Sequence, residues 1–248
     1  MKKLICLLVV IVITTTQSQP ILRIWKGGVK LDSVAVTNDL KITFGTGSGD
    51  FSCGTQIVYS GKTYNTVLIG SQCWLKENLN VGVFVQSVNT GSNHSDVSNN
   101  GIIEKYCYGN DTLNCNTYGG LYDWNEAMQY ITTPGTQGIC PTGWHIPTLA
   151  ELQTLQSAVG NNSNALKAVG QGSGAGAGTN TSGFTALLGG SRYEVGTFNS
   201  LNATAYFWSS SENLSTNAHY LTLTGNGINI HFNSSNKGYG FSVRCLLD

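Results

Sequence analysis

Apolar positions in this chain mostly alternate with polar ones in short runs, and in two places the spacing lengthens to that of a helix. In LYDWNEAMQY, Leu121, Trp124, Met128 and Ile131 recur at helical intervals. A second helix is expected from Thr148, just after Pro147, with Leu149, Leu152, Leu155 and Val159 on one side and Gly160 as the stop. Thr148 and Glu151 have capping-box spacing, worth on the order of 1 kcal/mol. A short helical piece, SNALKAV, precedes GQGSGAGAG, which composition reads as flexible.

The remaining apolar runs read as strands. IVYSGKTYNTVLIG is a hairpin with Ser60 and Gly61 at its turn. Later strands are expected in GFTALLGGSRY, AYFWSSS, HYLTLT, INIHF and GFSVRCLL, with a Gly-Asn-Gly turn between Thr224 and Ile228. Two main helices ahead of a mixed or antiparallel sheet, with long loops, make an α+β fold.

Lys2 and Lys3 precede an apolar run from Leu4 to Ile13, then TTTQSQ and Pro20, the pattern of a signal peptide over residues 1–19. Residues 20–50 form an N-terminal β segment, with two or three short strands in Ile21–Phe44 and the linker GTGSGD behind them. The main domain spans 51–248. Export to a secreted, cell-surface or periplasmic location follows, with no membrane insertion after cleavage.

Export changes how the cysteines are read. Of the seven, Cys6 falls in the leader, and the other six suit disulfides in an oxidising compartment. Six cysteines allow fifteen pairings, among which sequence alone does not choose. Spacing favours Cys107 with Cys115 around a polar turn, and Cys53 with Cys73 flanking the hairpin, which leaves Cys140 with Cys245. No Cys-x-x-Cys pair occurs and the four histidines are scattered, so neither zinc nor any other cofactor is called for.

Charged residues make up only 10% of the chain and the net charge is zero, which offers no electrostatic footprint for nucleic acid. Asn, Ser, Thr and Gly must supply the surface. Sequons such as those at Asn93 and Asn202 are expected by chance in such a composition.

The series GKTYNTVLIGSQCWLKENLN, YGGLYDWNEAM, GICPTGWHIPTLAEL, GFTALLGGSRY, FWSSS and GFSVRCL resembles the Fibrobacter succinogenes major paralogous domain family over Cys53–Asp248. That resemblance implies a secreted or surface bacterial protein without an established activity. The family is distantly similar to C-type lectin folds and to formylglycine-generating, sulfatase-modifying domains, which implies a C-type-lectin-like sheet. Neither E-P-N nor Q-P-D, the calcium and sugar triplets of such lectins, occurs here. The copper-binding cysteine pair of the formylglycine-generating enzymes has no counterpart beside Cys245.

Single residues sharpen the picture little. His145, Thr148, Glu151, Arg192 and Arg244 read as structural polar groups, with a carboxylate such as Glu151 or Glu194 pairing an arginine. Ser209–Ser211 lacks a nucleophile elbow, and no Asp partner for a histidine is evident. Trp74, Trp124, Trp144 and Trp208 read as core. Candidate ligand-binding positions lie in loops: His94, in the long Asn89–Gly101 loop, Tyr106, Tyr108, Tyr193 and Phe198. The expectation is a non-enzymatic surface module that binds a glycan. The alternatives are protein attachment through the N-terminal strands or, less favoured, an enzyme on surface polymers; oligomeric state is left open.

Overall fold

The structure is a computed structural model that describes residues 51–92 and 94–248, together with two strands nearer the N-terminus. The leader, the GTGSGD linker, a third strand before Phe44 and the sequon at Asn93 lie outside the described residues. The chain divides between Asp50 and Phe51 into two compact units. In the first, β1 (Ile21–Lys26) and β2 (Val29–Ala35) pair antiparallel, with a register shift between Ile24 and Trp25.

The second unit is α+β. Its strands are β3 (Gln56–Tyr59), β4 (Lys62–Ile69), β5 (Gln72–Leu75), β6 (Val83–Phe84), β7 (Glu104–Lys105), β8 (Trp144–His145) and β9 (Gly189–Arg192). They continue with β10 (Phe198–Leu201), β11 (Thr204–Leu214), β12 (Asn217–Thr224), β13 (Ile230–Asn236) and β14 (Leu246–Leu247). The helices are α1 (Thr112–Tyr118), α2 (Trp124–Ala127), α3 (Leu149–Ala158) and α4 (Ser163–Leu166). Two five-stranded sheets result, in the orders β10-β9-β11-β12-β13 and β3-β4-β5-β14-β8. The β3–β4 turn uses Ser60 and Gly61 at φ 48° and 76°, the left-handed geometry that a two-residue hairpin needs.

The segment from Gly240 to Leu246 joins the sheets. Its backbone bonds successively to Arg192, Tyr122, Tyr206 and Trp208, Leu79, and Leu75, before Leu246 pairs with Trp74 and His145. Side-chain alternation then serves two cores. Phe241, Val243 and Cys245 join one with Tyr64, Trp124, Trp144 and Trp208, while Leu246 joins the other with Trp74, Leu152, Phe184 and Phe207. All four tryptophans read as core are buried.

Three disulfides, Cys53–Cys73, Cys107–Cys115 and Cys140–Cys245, fasten this frame. The capping box is formed. Thr148 Oγ1 accepts from Glu151 N at 3.2 Å, and Glu151 Oε2 accepts from Thr148 N at 2.7 Å.

Three expectations need correcting. The helix expected over LYDWNEAMQY shrinks to the single turn of α2. Tyr122 is taken by the bridge to Phe241, and Gln129 and Tyr130 adopt φ 51° and 59°, which ends the helix before Ile131. The polar turn after Cys107 leads into a helix, α1, whose first N–H groups are capped by Asp111 accepting from Leu113 N. In the Gly-Asn-Gly turn neither glycine has a positive φ. Gly225 is closely approached instead: a Cβ there would sit 3.0 Å from Leu188 Cδ1 and 3.2 Å from Ala203 O, so its neighbours would have to give way slightly.

Candidate functional site

The residues nominated in loops collect around Arg192. Its strand places the guanidinium inside the fold, fully buried, with Nε donating to Ser87 Oγ at 2.7 Å, Nη1 to Gly238 O at 3.0 Å and Nη2 to Asp96 Oδ2 at 2.8 Å. Asp123 Oδ1 lies 3.9 Å from Nη1, and the Tyr106 ring stacks beneath at 4.2 Å. The pairing carboxylates are therefore Asp96 and Asp123, in place of the expected Glu151 or Glu194. Burial lifts the Asp123 carboxyl to about 7 against the opposing pull of the Ser95 hydrogen bond and Arg192.

This cluster fastens the long loop. Thr90 N donates to Val195 O at 3.2 Å, His94 N to Glu194 O at 2.9 Å, and His94 Nε2 lies 3.2 Å from Asp96 Oδ1. Gly196 is essential to that seam, because a Cβ there would meet Val88 O at 1.9 Å. Tyr106 is fully buried, with its hydroxyl accepting from Asp96 N, so it presents no surface to a ligand. Tyr108 and Phe198 pack together at 5.3 Å, and Tyr193 packs on Tyr239 at 5.3 Å, all of them half-buried. The nominated residues thus form a clamp, packed against one another and against Arg192.

His145 also differs from expectation, because it does have an aspartate partner. Nδ1 lies 2.7 Å from Asp248 Oδ1, while Nε2 lies 3.1 Å from Glu151 Oε1. The Glu151 hydrogen bond raises its pKa above 6.5 despite opposing burial, with Asp248 adding to the rise. Burial pushes the Glu151 carboxyl up, but hydrogen bonds from His145 and Thr148 outweigh it and bring it to about 2. Both ring nitrogens are committed, which leaves none to activate a hydroxyl. Ser210 and Ser211 serve the backbone, accepting from Gly135 N at 2.9 Å and Leu149 N at 3.0 Å.

An open cleft lies elsewhere, where three loops meet. It has a volume of about 540 Å³ and is walled by residues 170–173, 202–204 and 224–226. Gln171, Ser173, Asn202, Thr204, Thr224 and Asn226 supply amides and hydroxyls, and no wall residue is ionisable. Its frame is backbone on backbone. Ser173 N donates to Gly225 O at 2.8 Å, Gly178 N to Gln171 O at 2.7 Å, and Gly225 N to Ala203 O at 2.7 Å. The run expected to be flexible is thereby tied at several points. A Cβ at Gly172 would sit 2.4 Å from Gly225 O, and one at Gly176 would sit 2.5 Å from the same atom, so glycine there permits contact. No signal in the sequence announced this cleft, because its three loops are brought together by packing alone.

Arg244 is fully buried between Phe184 at 4.2 Å and Phe207 at 5.3 Å. It donates to Asn78 Oδ1 from Nε at 3.2 Å and Nη2 at 2.6 Å, and Nη1 donates to the Phe184 carbonyl. It pairs with no carboxylate among the described residues, contrary to expectation. Burial brings it down to about 9, with Glu77 opposing.

Among the described residues, no group of three or more His, Cys, Asp or Glu is placed to hold a metal ion, and no helix is long and apolar enough to cross a membrane. Neither the curated proteins nor the solved structures provide a match to this chain. A family model does match, described as Fibrobacter succinogenes major domain, over residues 67–246, the stretch that carries both sheets' central strands, the Arg192 clamp and the amide-lined cleft. The chain belongs to that family.

Proposed function

We propose that the protein is an exported, non-enzymatic binding module whose ligand is a glycan. The observation that carries this reading is the cleft of about 540 Å³, which meets its occupant only with amides, hydroxyls and backbone groups. Such a wall hydrogen-bonds hydroxyl-rich neutral surfaces, and its volume lies in the range of small-ligand sites. The three disulfides support export, because such bonds persist in oxidising compartments. A C-type-lectin-like arrangement is part of the proposal. It is supported by α3 lying between an early hairpin and late antiparallel strands, and by a C-terminal strand that returns to pair with β5.

The test is binding of the oxidised protein to a glycan array and to insoluble polysaccharides, with calcium and with chelator. Saturable binding is expected, weakened by roughly tenfold in Ser173→Ala/Asn226→Ala, as the loss of two neutral hydrogen bonds of about 0.5–1.5 kcal/mol each implies. A blank array overturns the reading. In that event capture of a protein through the β1–β2 ribbon, whose two strands each leave one edge unpaired within their own sheet, becomes the next reading to test.

A further inference from the structure

The neutral cleft has a cationic neighbour. A second cavity of about 320 Å³ is lined by Lys62, Lys76, Glu77, Asn78, Tyr118 and Arg244, with Thr63, Asn116, Thr117, Gly119, Thr185 and Leu187 completing its wall. Tyr118 is the shared partition: it lines this cavity, and its hydroxyl donates to Asn202 Oδ1 of the neutral cleft at 2.9 Å.

Charge in this cavity is unbalanced. Three cations face one carboxylate, and that carboxylate is already occupied: Glu77 Oε2 accepts from Asn65 N at 2.8 Å and Oε1 from Asn65 Nδ2 at 2.6 Å. A guanidinium has five N–H donors, and Arg244 uses one on each of its three nitrogens. That leaves two donors without an acceptor among the described residues, on a side chain 2% exposed. Phe184 and Phe207 hold its plane, so the donors are fixed in advance. Lys105 adds to the positive field: its Nζ is anchored on Asn80 Oδ1 at 2.6 Å, and its pKa is lowered by burial and then by Lys62. A buried arginine with no ion-pair contact among the described residues is costly to the fold, and a ligand oxyanion would supply that contact.

We infer that this cavity binds a compact oxyanion, the carboxylate or sulfate group of an acidic saccharide, with the rest of the sugar reaching into the neutral cleft across Tyr118. The anion subsite stands on its own geometry; its attachment to a saccharide rests on the glycan reading above.

The experiment titrates the folded, oxidised protein with sodium sulfate, sodium glucuronate and glucose at constant ionic strength. It follows the backbone amide resonances of Lys76, Asn78 and Tyr118. Saturable shifts are expected with sulfate or glucuronate and none with glucose, and the anion that binds more tightly identifies the natural substituent. Lys62→Gln/Lys76→Gln, checked by its melting curve, should weaken binding by about tenfold or more, as should Arg244→Lys, which keeps the charge and loses the fork. Absence of saturable shifts, or affinity unchanged in the double lysine variant, overturns the inference. A blank glycan array alongside intact anion binding would sink the glycan reading and leave this subsite standing.

Discussion

Arg192 and Arg244 are both fully buried, both lie over aromatic rings, and both sit where the Gly240–Leu246 segment joins the sheets. Their surroundings part company in charge. Arg192 is met by Asp96 and Asp123 within the chain, whereas Arg244 is met by an amide oxygen and a carbonyl. The difference teaches how to tell a clamp from a receptor site. A buried cation balanced by its own chain consolidates a loop, and one balanced only by dipoles retains capacity for something outside the chain.

The comparison can be broken at its covalent support first. Arg244 adjoins Cys245, whose bond to Cys140 spans 105 residues. Replacing both cysteines with serine should cost about 4.7 kcal/mol in the chain-entropy model, measured by urea unfolding. The Cys107–Cys115 pair, near the Arg192 clamp, should cost about 2.5 kcal/mol in the same model. A reversed order would mean that the clamp side, and not the Arg244 side, depends on its disulfide.

Next come the arginines themselves. Arg192→Met leaves the Asp96 carboxylate and the Asp123 carboxyl inside the fold without their cation and should cost about 3–5 kcal/mol. Arg244→Met strands only polar oxygens and should cost less, about 1–3 kcal/mol. Equal losses in chemical denaturation would erase the distinction drawn here.

Acidity provides a finer test. Asp123 is raised from 3.8 to about 7, so the folded protein keeps a proton that the unfolded chain has released, and stability falls as pH rises across that window. His145, raised above 6.5, acts in the same direction: its contribution is complete below 6.5 and disappears as pH rises through the folded value. Glu151, lowered from 4.5 to about 2, acts oppositely, and its contribution disappears as pH falls from 4.5 through that value. Melting temperature should therefore peak in acid, between 3.8 and 4.5, where the Glu151 gain is ending and the Asp123 loss is beginning, and should fall from there toward neutrality. Asp123→Asn should flatten the decline between 3.8 and about 7, and a profile unchanged by that substitution would contradict the raised carboxyl.

The smallest effect should come from the surface of the receptor side. Lys62→Gln/Lys76→Gln should leave stability within about 0.5 kcal/mol of the parent, because both lysines are only half-buried and neither forms an ion pair among the described residues. Thermal melts that drop by several degrees would show that these lysines hold the fold as the clamp residues do.

How far the sequence disclosed all this depends on the range of each interaction. The capping box at Thr148 and Glu151, the Ser60–Gly61 turn and the course of α3 are local, and residue type over a few positions determines them. The disulfides observed are the set that spacing favoured among the fifteen possible pairings, two of them short-range. The arginine partners were illegible because Asp96 is 96 positions from Arg192, and Asn78 is 166 positions from Arg244. The His145–Asp248 contact, 103 positions apart, escaped for the same reason. LYDWNEAMQY shows the opposite failure, in which a true helical periodicity lost to the tertiary bridge between Tyr122 and Phe241. The amide-lined cleft was least visible of all, since glycine composition suggests freedom where packing imposes contact.

The glycine seam has a consequence for how such a protein could change over generations. Gly172, Gly176 and Gly225 bring two loops together so closely that a side chain at any of them is crowded, and the loop paths are consequently hard to alter. Ser173 and Asn226, on the same two loops, are exposed at the rim, as is Asn202 on the third. Mutation at Ser173 or Asn226 would revise what the cleft recognises while sparing the fold, so one scaffold could be re-aimed at many surfaces by exchanging a few rim residues.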